Sequence, residues 1–267
     1  MTRRLTFLTL ACCLVAATAD AQFSRRDPAT GERYNVELAY GWWRPDPQIQ
    51  ASSESLGIPG TLIDFQQDLG IEKKKIKELR LVLRPGRKHK FRFDYLPIDY
   101  QVEDHRLTRQ IVFNGQSFTV GLPVNVEAAF KTFKISYEYD FYYKDRGYVG
   151  LVLDTKVTRA RIDFASPVTT EFAEATAPIP AIGVAGRGYV ARNVAVGGEM
   201  TFFKLPESES NDYTGKYYDY DFYGTINFND HVGVTGGWRK LDLSYTVKTD
   251  FGTLNMTGLY FLGVVRF

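Results

Sequence analysis

The sequence predicts an all-β fold, a closed antiparallel transmembrane up-and-down β-barrel of about ten strands. Segments that alternate between apolar and polar side chains recur along the chain. Their polar faces are densely charged, and their apolar faces are rich in aromatic residues, which make up 15% of the sequence. This combination favours an inverted barrel, in which apolar residues face lipid and charged residues face the lumen. Because every backbone group in lipid must be paired, such a sheet has to close.

Residues 1–21 have the three parts of a secretory signal peptide. A positive start is followed by a short apolar run over 5–17 and by a small-x-small cleavage pattern in which Ala19 and Ala21 precede Gln22. The run is too short for a transmembrane helix, which needs about 20 apolar residues. We therefore expect cleavage before Gln22, which leaves a periplasmic segment over 22–32 and the barrel over 33–267.

Composition excludes several classes of site from the mature chain. Both cysteines, Cys12 and Cys13, lie in the predicted signal peptide, so no disulfide and no cysteine metal site is expected. The alternative that Cys12 is a lipoprotein cysteine is disfavoured, because Thr9 stands where a leucine is usual. Removing Arg3, Arg4 and Asp20 from 33 basic and 31 acidic residues leaves 31 and 30, which argues against a nucleic-acid partner bound by bulk charge.

The first five strands are predicted from the parity of their apolar residues. Apolar side chains occupy even positions over 34–42, and odd positions over 78–84 and 90–95, which flank a tight Pro85-Gly86 turn. Residues 133–141 alternate aromatic or aliphatic residues with charged or polar ones. The turn at 144–147 then leads into a fifth strand at 148–157.

Five further strands complete the predicted barrel. Residues 179–191 and 194–204 meet at Arg192-Asn193, and residues 218–228 have the clearest alternation in the chain. The turn at 229–231 leads to a ninth strand at 232–238, and the tenth runs over 254–267. Weak alternation at 107–126 and 179–205 leaves eight or twelve strands as alternatives.

The connections alternate between short and long, which is the plan of outer-membrane barrels. In the second long connection, Asn114-Gly115 predicts a hairpin with a type I′ turn over 111–120 that rises beyond the membrane. The alternative is that this hairpin is itself a spanning pair. The tight turns lie near 85–88, 143–147, 191–193 and 229–231, and the mostly longer segments are 45–73, 103–127, 160–177, 205–215 and 247–252. Aromatic residues at strand ends predict interfacial girdles: Tyr40, Trp42, Trp43, Tyr142, Tyr143, Tyr148 and Trp238.

The last strand resembles the C-terminal assembly signal of small outer-membrane β-barrel proteins of Gram-negative bacteria. Such proteins end on an aromatic residue with apolar residues at alternate positions before it, and Leu259, Phe261, Val265 and Phe267 match. The resemblance implies residence in the outer membrane as a monomer, among outer-membrane lipid and lipopolysaccharide. It also implies assembly with periplasmic chaperones and the barrel assembly machinery. It implies no particular activity.

Few residues are candidates for catalysis or metal binding, and we predict no cofactor. His89 and His231 fall in the short inner turns, whereas His105 follows two acidic residues in a long outer loop, where a carboxylate-oriented base is conceivable. The arrangements expected of lipid A deacylases, acyltransferases or omptin proteases are absent from the sequence. An acidic patch toward the outer end of the eighth strand could bind a divalent cation loosely, but a hydrated loop is favoured. It comprises Glu207, Glu209, Asp212, Asp219 and Asp221.

The predicted lumen is the most informative part of the sequence, because the strand assignments turn balanced charges inward. An unpaired charge in a narrow protein interior is costly, so opposite charges should pair. The nine basic residues are Arg80, Arg84, Lys90, Arg92, Lys134, Lys156, Arg187, Arg239 and Arg266. The nine acidic residues are Glu37, Glu78, Asp94, Glu138, Asp140, Asp154, Glu199, Asp219 and Asp221.

A barrel of about eight strands is just filled by side chains, and a barrel of about ten strands is close to that size. These features therefore predict a charged lumen that is closed or narrow. We expect an envelope or surface-interaction protein, or a minor pore for small solutes, rather than an enzyme. The alternative is a lipid- or peptide-modifying enzyme with a site at the outer rim.

Overall fold

The computed structural model of the chain describes residues 29–55, 57–205, 213–247 and 249–267. The predicted cleavage residues Ala19, Ala21 and Gln22 lie outside these ranges. The described part contains no helix that is long and apolar enough to cross a membrane. Its strands are β1 (Val36–Ser52), β2 (Ile63–Asp64), β3 (Ile76–Gly86), β4 (His89–Arg106), β5 (Ile111–Phe113), β6 (Gln116–Phe118), β7 (Pro123–Lys144), β8 (Gly147–Ala165), β9 (Thr170–Ala191), β10 (Val194–Lys204), β11 (Tyr213–Asn227), β12 (Val232–Val247) and β13 (Asp250–Arg266).

Ten of the described strands form a closed antiparallel barrel, which confirms the predicted fold and strand count. Each long strand pairs with its neighbour in the chain, and β13 pairs with β1 from Glu37↔Arg266 to Ser52↔Phe251 to close the cylinder. The C-terminal Phe267 extends this seam, because its backbone N–H donates to the carbonyl oxygen of Val36 at 2.9 Å. The seam is therefore an unbroken antiparallel pairing from Glu37 to Ser52, as a barrel in lipid requires.

The barrel has two zones along its axis, and β7 shows the change between them. Over residues 133–141 the apolar side chains point outward, as at Phe133 and Ile135, which are 43% and 45% exposed. Over residues 124–130 the apolar side chains point inward, and Val124, Val126, Ala128 and Phe130 are all buried. We call the part on the short-turn side the inner zone and the part beyond the change the outer zone.

The same change occurs in other strands. Their apolar side chains point outward in the inner half and inward in the outer half. In β4, Phe91 and Tyr95 are exposed, whereas Leu96, Ile98 and Tyr100 are buried. In β13, Leu259 and Phe261 are exposed, whereas Leu254 and Met256 are buried. The inner zone therefore has the pattern of a barrel in lipid, and the outer zone has that of a soluble barrel with an apolar core.

The outer zone corrects the predicted loop boundaries. Much of the predicted loop segments 45–73, 103–127, 160–177 and 247–252 is strand, and the β8–β9 connection is only residues 166–169. β7 and β9 each have 22 residues, about twice the 9–11 that a strand needs to cross a membrane. The outward apolar side chains of the inner zone form a band around the barrel, which we call the apolar belt. The barrel wall therefore continues well beyond the apolar belt on the long-loop side.

Two connections close the outer mouth of the barrel. The β1–β3 connection buries Ile63, Phe65 and Leu69 completely. The predicted hairpin forms as β5 and β6, with positive φ at Asn114 and Gly115, as a type I′ turn requires. It is neither a spanning pair nor a free projection, because Phe113 and Phe118 pack against Phe164 of β8 at centroid distances of 4.8 and 5.5 Å. Each fully buried phenylalanine contributes about 1.5–3 kcal/mol.

The inner mouth is crossed by residues 29–35, which we call the inner-mouth segment. Backbone N–H groups of Ala29 and Thr30 donate to carbonyl oxygens in the β7–β8 and β9–β10 turns, and the N–H of Gly31 donates to Asp230 Oδ1 at 2.8 Å. Gly31 has φ +79°, and a Cβ there would lie 2.7 Å from Arg266 Nη1, so a side chain at this position would be strained. This segment is tied to three of the turns at the inner end.

Candidate functional site

The interior of the inner zone holds a dense set of buried ion pairs. Arg239 of β12 makes a bidentate pair with Asp219 of β11, with Nε–Oδ1 at 3.0 Å and Nη2–Oδ2 at 2.8 Å. Its remaining Nη1 donates to Glu78 Oε1 at 3.0 Å. Arg80 also contacts Glu78, at 2.8 Å, and reaches Asp221 across the lumen at 3.0 Å. The network therefore joins β3 to β11 and β12 through the barrel interior.

A second group of pairs lies on β4, β7 and β10. Arg92 pairs with Glu199 across the lumen and with Glu138 at 3.3 Å. Lys134 contacts Glu199 at 2.8 Å, and Lys90 lies between Glu138 and Asp140 at 2.8 and 3.0 Å. Each acid in this group is less exposed than 14% at its side chain, so removing a partner leaves a charge in a poorly hydrated place.

The remaining predicted lumen residues lie around these two groups. Arg266 pairs with Glu37 at the β1–β13 seam and donates to Asn227 Oδ1 at 2.8 Å. Lys156 donates to Asp154 at 2.7 Å. Asp94 is 3.7 Å from Lys134.

Arg187 differs from the other interior cations. Among the described residues no carboxylate lies within 4.0 Å of it, and its Nε donates to Tyr223 Oη at a long 3.4 Å. Its Nη1 is buried with no partner in the same part of the chain. Arg187 also lies 5.4 Å from the ring of Tyr223, so its charge faces an aromatic face rather than an acid.

Sequence reasoning missed several residues that complete this network. Glu32, placed in the periplasmic segment, is only 2% exposed, lies 3.3 Å from Arg84 and accepts a hydrogen bond from Tyr189 Oη at 2.9 Å. Tyr217 and Tyr260 donate to Asp219 and Asp221 at 3.0 and 2.7 Å. The parity of the two tyrosines opposes that of their lipid-facing neighbours, which is a signal that could have identified them.

The predicted aromatic girdle is only partly correct. Tyr40, Trp42, Tyr142 and Trp238 are exposed on the outer surface, but Trp43 and Tyr148 are 0% and 7% exposed. Trp43 follows Trp42 directly, so its side chain points to the opposite face, where Nε1 donates to the carbonyl oxygen of Gly258 at 3.2 Å. Tyr148 lies inside with Lys90 Nζ 3.1 Å from its ring centroid. Tyr34, predicted on the lipid face, lines the interior cavity instead.

The free space inside the charged network is small. A cavity of about 80 Å³ is lined by both signs of charge, including Arg80, Arg92, Glu138 and Glu199. This volume accommodates several water molecules. Toward the outer zone the interior is filled by apolar side chains, and toward the inner mouth it is crossed by the inner-mouth segment.

The outer rim offers no assembled catalytic group among the described residues. His105 Nε2 is buried without a hydrogen-bond partner there, and the nearby Asp68 is engaged by Arg109. The hydrogen bond from Arg109 holds the pKa of Asp68 below its usual value. His89 and His231 lie at inner turns, where they contact Tyr137 Oη at 2.7 Å and the carbonyl oxygen of Arg266 at 3.1 Å.

The predicted acidic patch is not assembled by its described members. Asp219 and Asp221 point into the barrel and pair with Arg239 and Arg80, because both occupy the inward parity of β11. Glu207, Glu209 and Asp212 lie outside the described residues. Within the described ranges, no group of three or more His, Cys, Asp or Glu side chains is arranged to hold a metal ion.

Comparison with solved structures supports the fold. The outer-membrane protease OmpT of Escherichia coli aligns with a TM-score of 0.58 over 91% of this chain and 100% of that chain, at 10% identity. The attachment invasion locus protein Ail of Yersinia pestis and the toluene transporter TodX of Pseudomonas putida align at 0.36 and 0.37, with 9% and 8% identity. They cover 86% and 91% of this chain and 96% and 93% of their own. No protein-family model and no curated protein sequence matches the chain. The architecture shared with OmpT is that of an outer-membrane β-barrel.

Proposed function

We propose that this chain, which has the fold of outer-membrane β-barrel proteins, is a non-conducting barrel of the Gram-negative outer membrane. Its inner zone spans the membrane, and its outer zone is a rigid extracellular platform for surface interactions. The carrying observation is that side chains of the described residues fill the barrel interior, apart from one cavity of about 80 Å³. Ion pairs fill the inner zone, and apolar side chains fill the outer zone.

Three independent closures support a barrel without a pore. The outer mouth is covered by the β1–β3 connection and the β5–β6 hairpin, with Phe65, Phe113 and Phe118 buried completely or nearly so. The middle contains a cavity of only about 80 Å³, whereas channel-forming porins of 16–18 strands enclose an aqueous lumen. The inner mouth is crossed by the inner-mouth segment, where Glu32 is bound by Arg84 and Tyr189.

The extent of the outer zone supports a role outside the cell. The β8–β9 hairpin continues to Val168, whose exposed fraction is 76%, and the outward side chains beyond the apolar belt are mostly polar, as Gln48 and Gln50 of β1 are. An apolar core at this level keeps the wall rigid without lipid around it. The alternative of an enzyme at the outer rim gains no support from His105, which has no hydrogen-bonded serine or carboxylate among the described residues.

Planar-bilayer recording of the purified full chain tests the closed interior, with a general porin as the positive control. We expect no steady conductance, because the described residues leave only a cavity of about 80 Å³ in the barrel interior. Large steady conductance would contradict the proposal and favour a small-solute pore.

Cysteine labelling on intact cells tests the orientation. The only cysteines, Cys12 and Cys13, lie in the predicted signal peptide, so Val168→Cys and Lys88→Cys would each carry one reactive thiol. A membrane-impermeant maleimide should label Val168→Cys on intact cells, and Lys88→Cys only after the outer membrane is permeabilised. The reverse pattern would place the outer zone in the periplasm.

A further inference from the structure

A cluster of cations lies on the outer surface of β1 and around the start of β3, at the border between the two zones. It consists of Arg44, Lys75 and Lys77, all exposed. Trp42 and Lys77 are cross-strand partners, and so are Trp43 and Ile76, so Lys75, one residue before Ile76, lies beside Arg44. We call these three residues the border cluster.

The border cluster lacks internal neutralisation. Among the described residues none of its three cations forms an ion pair, although nearby Lys73 and Lys74 are bound to Asp46 and Asp99 at 2.8 and 2.9 Å. Lys75 instead holds its Nζ 4.8 Å from the ring centroid of Trp42. Like charges on neighbouring strands repel, so an external anion placed among them would stabilise this edge.

The surface that adjoins the border cluster, beside it and toward the inner zone, is apolar and aromatic. Tyr40, Trp42 and Phe261 are 53%, 37% and 44% exposed, and Trp42 and Phe261 have ring centroids 6.3 Å apart. Leu79 faces Tyr40 across the strands, and Leu259 faces Arg44. A molecule that contacts both levels must carry an anionic head directly joined to hydrocarbon chains. A soluble anion would meet only the cations.

We infer that the border cluster binds the phosphate groups of a phosphorylated glycolipid of the outer leaflet, of the lipid A type, whose acyl chains lie along Trp42, Leu79 and Phe261. This assignment rests on the proposed function, because it takes the outer zone to be extracellular. Ammonium and guanidinium groups bind phosphate through charge-assisted hydrogen bonds, and the indole of Trp42 keeps Lys75 at the height of the head group.

Binding of purified lipid A to the full chain in detergent tests this inference. The variant carries Arg44→Gln, Lys75→Gln and Lys77→Gln, and the matched control carries Arg87→Gln, Lys88→Gln and Lys144→Gln, three exposed cations at the inner turns. A cation near an anionic lipid surface is worth about fivefold in affinity, so the border variant should bind on the order of 100-fold more weakly. The control variant should bind like the wild type. Lys77→Gln alone should lose about fivefold, which provides a milder variant should the triple variant fold poorly.

Two further probes identify the source of the anion. Lipid A without its phosphates should bind the wild type and the border variant equally weakly, and millimolar inorganic phosphate should not displace lipid A. Equal affinity of wild type and border variant for lipid A would overturn the inference, as would efficient displacement by inorganic phosphate. Neither result would change bilayer conductance or thiol labelling, so failure of this inference is distinguishable from failure of the proposed function.

Discussion

Arg239 shows how single side chains hold the inner zone together. Its guanidinium makes three hydrogen bonds to two acids on different strands, and its side chain is 8% exposed. Replacing a buried ion pair by apolar residues is often neutral, whereas removing one partner leaves an uncompensated charge. The stability of the inner zone therefore depends on whether each buried charge keeps its partner, more than on the total number of charges.

We predict that Arg239→Met lowers the free energy of unfolding by about 3–5 kcal/mol, because Asp219 loses its bidentate partner. The double variant Arg239→Met with Asp219→Leu should recover much of this loss. Denaturant unfolding in detergent or lipid vesicles measures both. The control is Arg159→Met, which breaks an exposed pair with Glu174 and should cost less than about 1 kcal/mol. A double variant as unstable as the single one would indicate that packing, and not the charge, is lost.

Asp68 and Arg109 fasten the two outer-mouth connections to each other. The hydrogen bond from Arg109 lowers the pKa of Asp68, so the contact stabilises the folded state above the unfolded pKa of about 3.9 and is lost as the pH falls through the lowered value. We expect faster amide exchange at residues 61–71 at pH 3 than at pH 7, after correction for the intrinsic rate. The variant Asp68→Asn should remove this pH dependence. An unchanged pH dependence in the variant would assign it to another group.

At the scale of single strands, the two zones differ in the chemical character of the outward side chains. β1 carries Leu38 and Tyr40 outward in the inner zone and Gln48 and Gln50 outward in the outer zone. All four side chains occupy the same parity. The alternation of inward and outward side chains continues without a break along β1, and only the chemical character of the outward side chains changes. The border between the two zones therefore lies between Trp42 and Arg44.

A pair of arginine substitutions on β1 tests where this border lies. Leu38→Arg should destabilise the barrel in lipid by about 2–4 kcal/mol, because arginine is placed on the lipid face. Gln48→Arg has the same parity but faces water and should stay within about 0.5 kcal/mol of the wild type. Unfolding from phospholipid vesicles measures both. Equal costs would mean that lipid surrounds both zones, and a negligible cost for Leu38→Arg would mean that it surrounds neither.

At the scale of the whole molecule, the sequence was sufficient for the closed ten-stranded barrel but not for the outer zone. The outward pattern over 133–141 is strong, since aromatic residues alternate with charged ones. Residues 124–130 alternate equally well, but their apolar side chains point inward instead of outward. A prediction that expects apolar side chains only on the outward face therefore assigns most of this segment to a loop. The burial of Phe113 and Phe118 depends on contacts with β8, about 50 residues away in sequence, which periodicity does not report.

Parity assigns each charged residue to a face of its strand, but it does not identify the partner of that residue. Arg92 and Glu199 lie on strands that are not adjacent, and register within neighbouring strands does not determine which side chains meet across a lumen. Glu32 could not be assigned for a similar reason. It precedes the first strand, and its role arises only because the chain turns across the inner mouth toward Arg84 and Tyr189.

The adjacent tryptophans of β1 make the protein report optically on its own surroundings. Trp42 and Trp238 face outward, each 37% exposed, and Trp43 faces inward at 0%; these are all the tryptophans in the chain. A bromine-labelled acyl chain can collide with the two outward indoles, whereas Trp43 is screened by the barrel wall. The emission of the folded protein therefore has a quenchable component from the bilayer side and a protected component from the interior. Because Trp43 is screened only when the barrel wall is in place, the appearance of the protected component during folding marks the time at which the barrel closes.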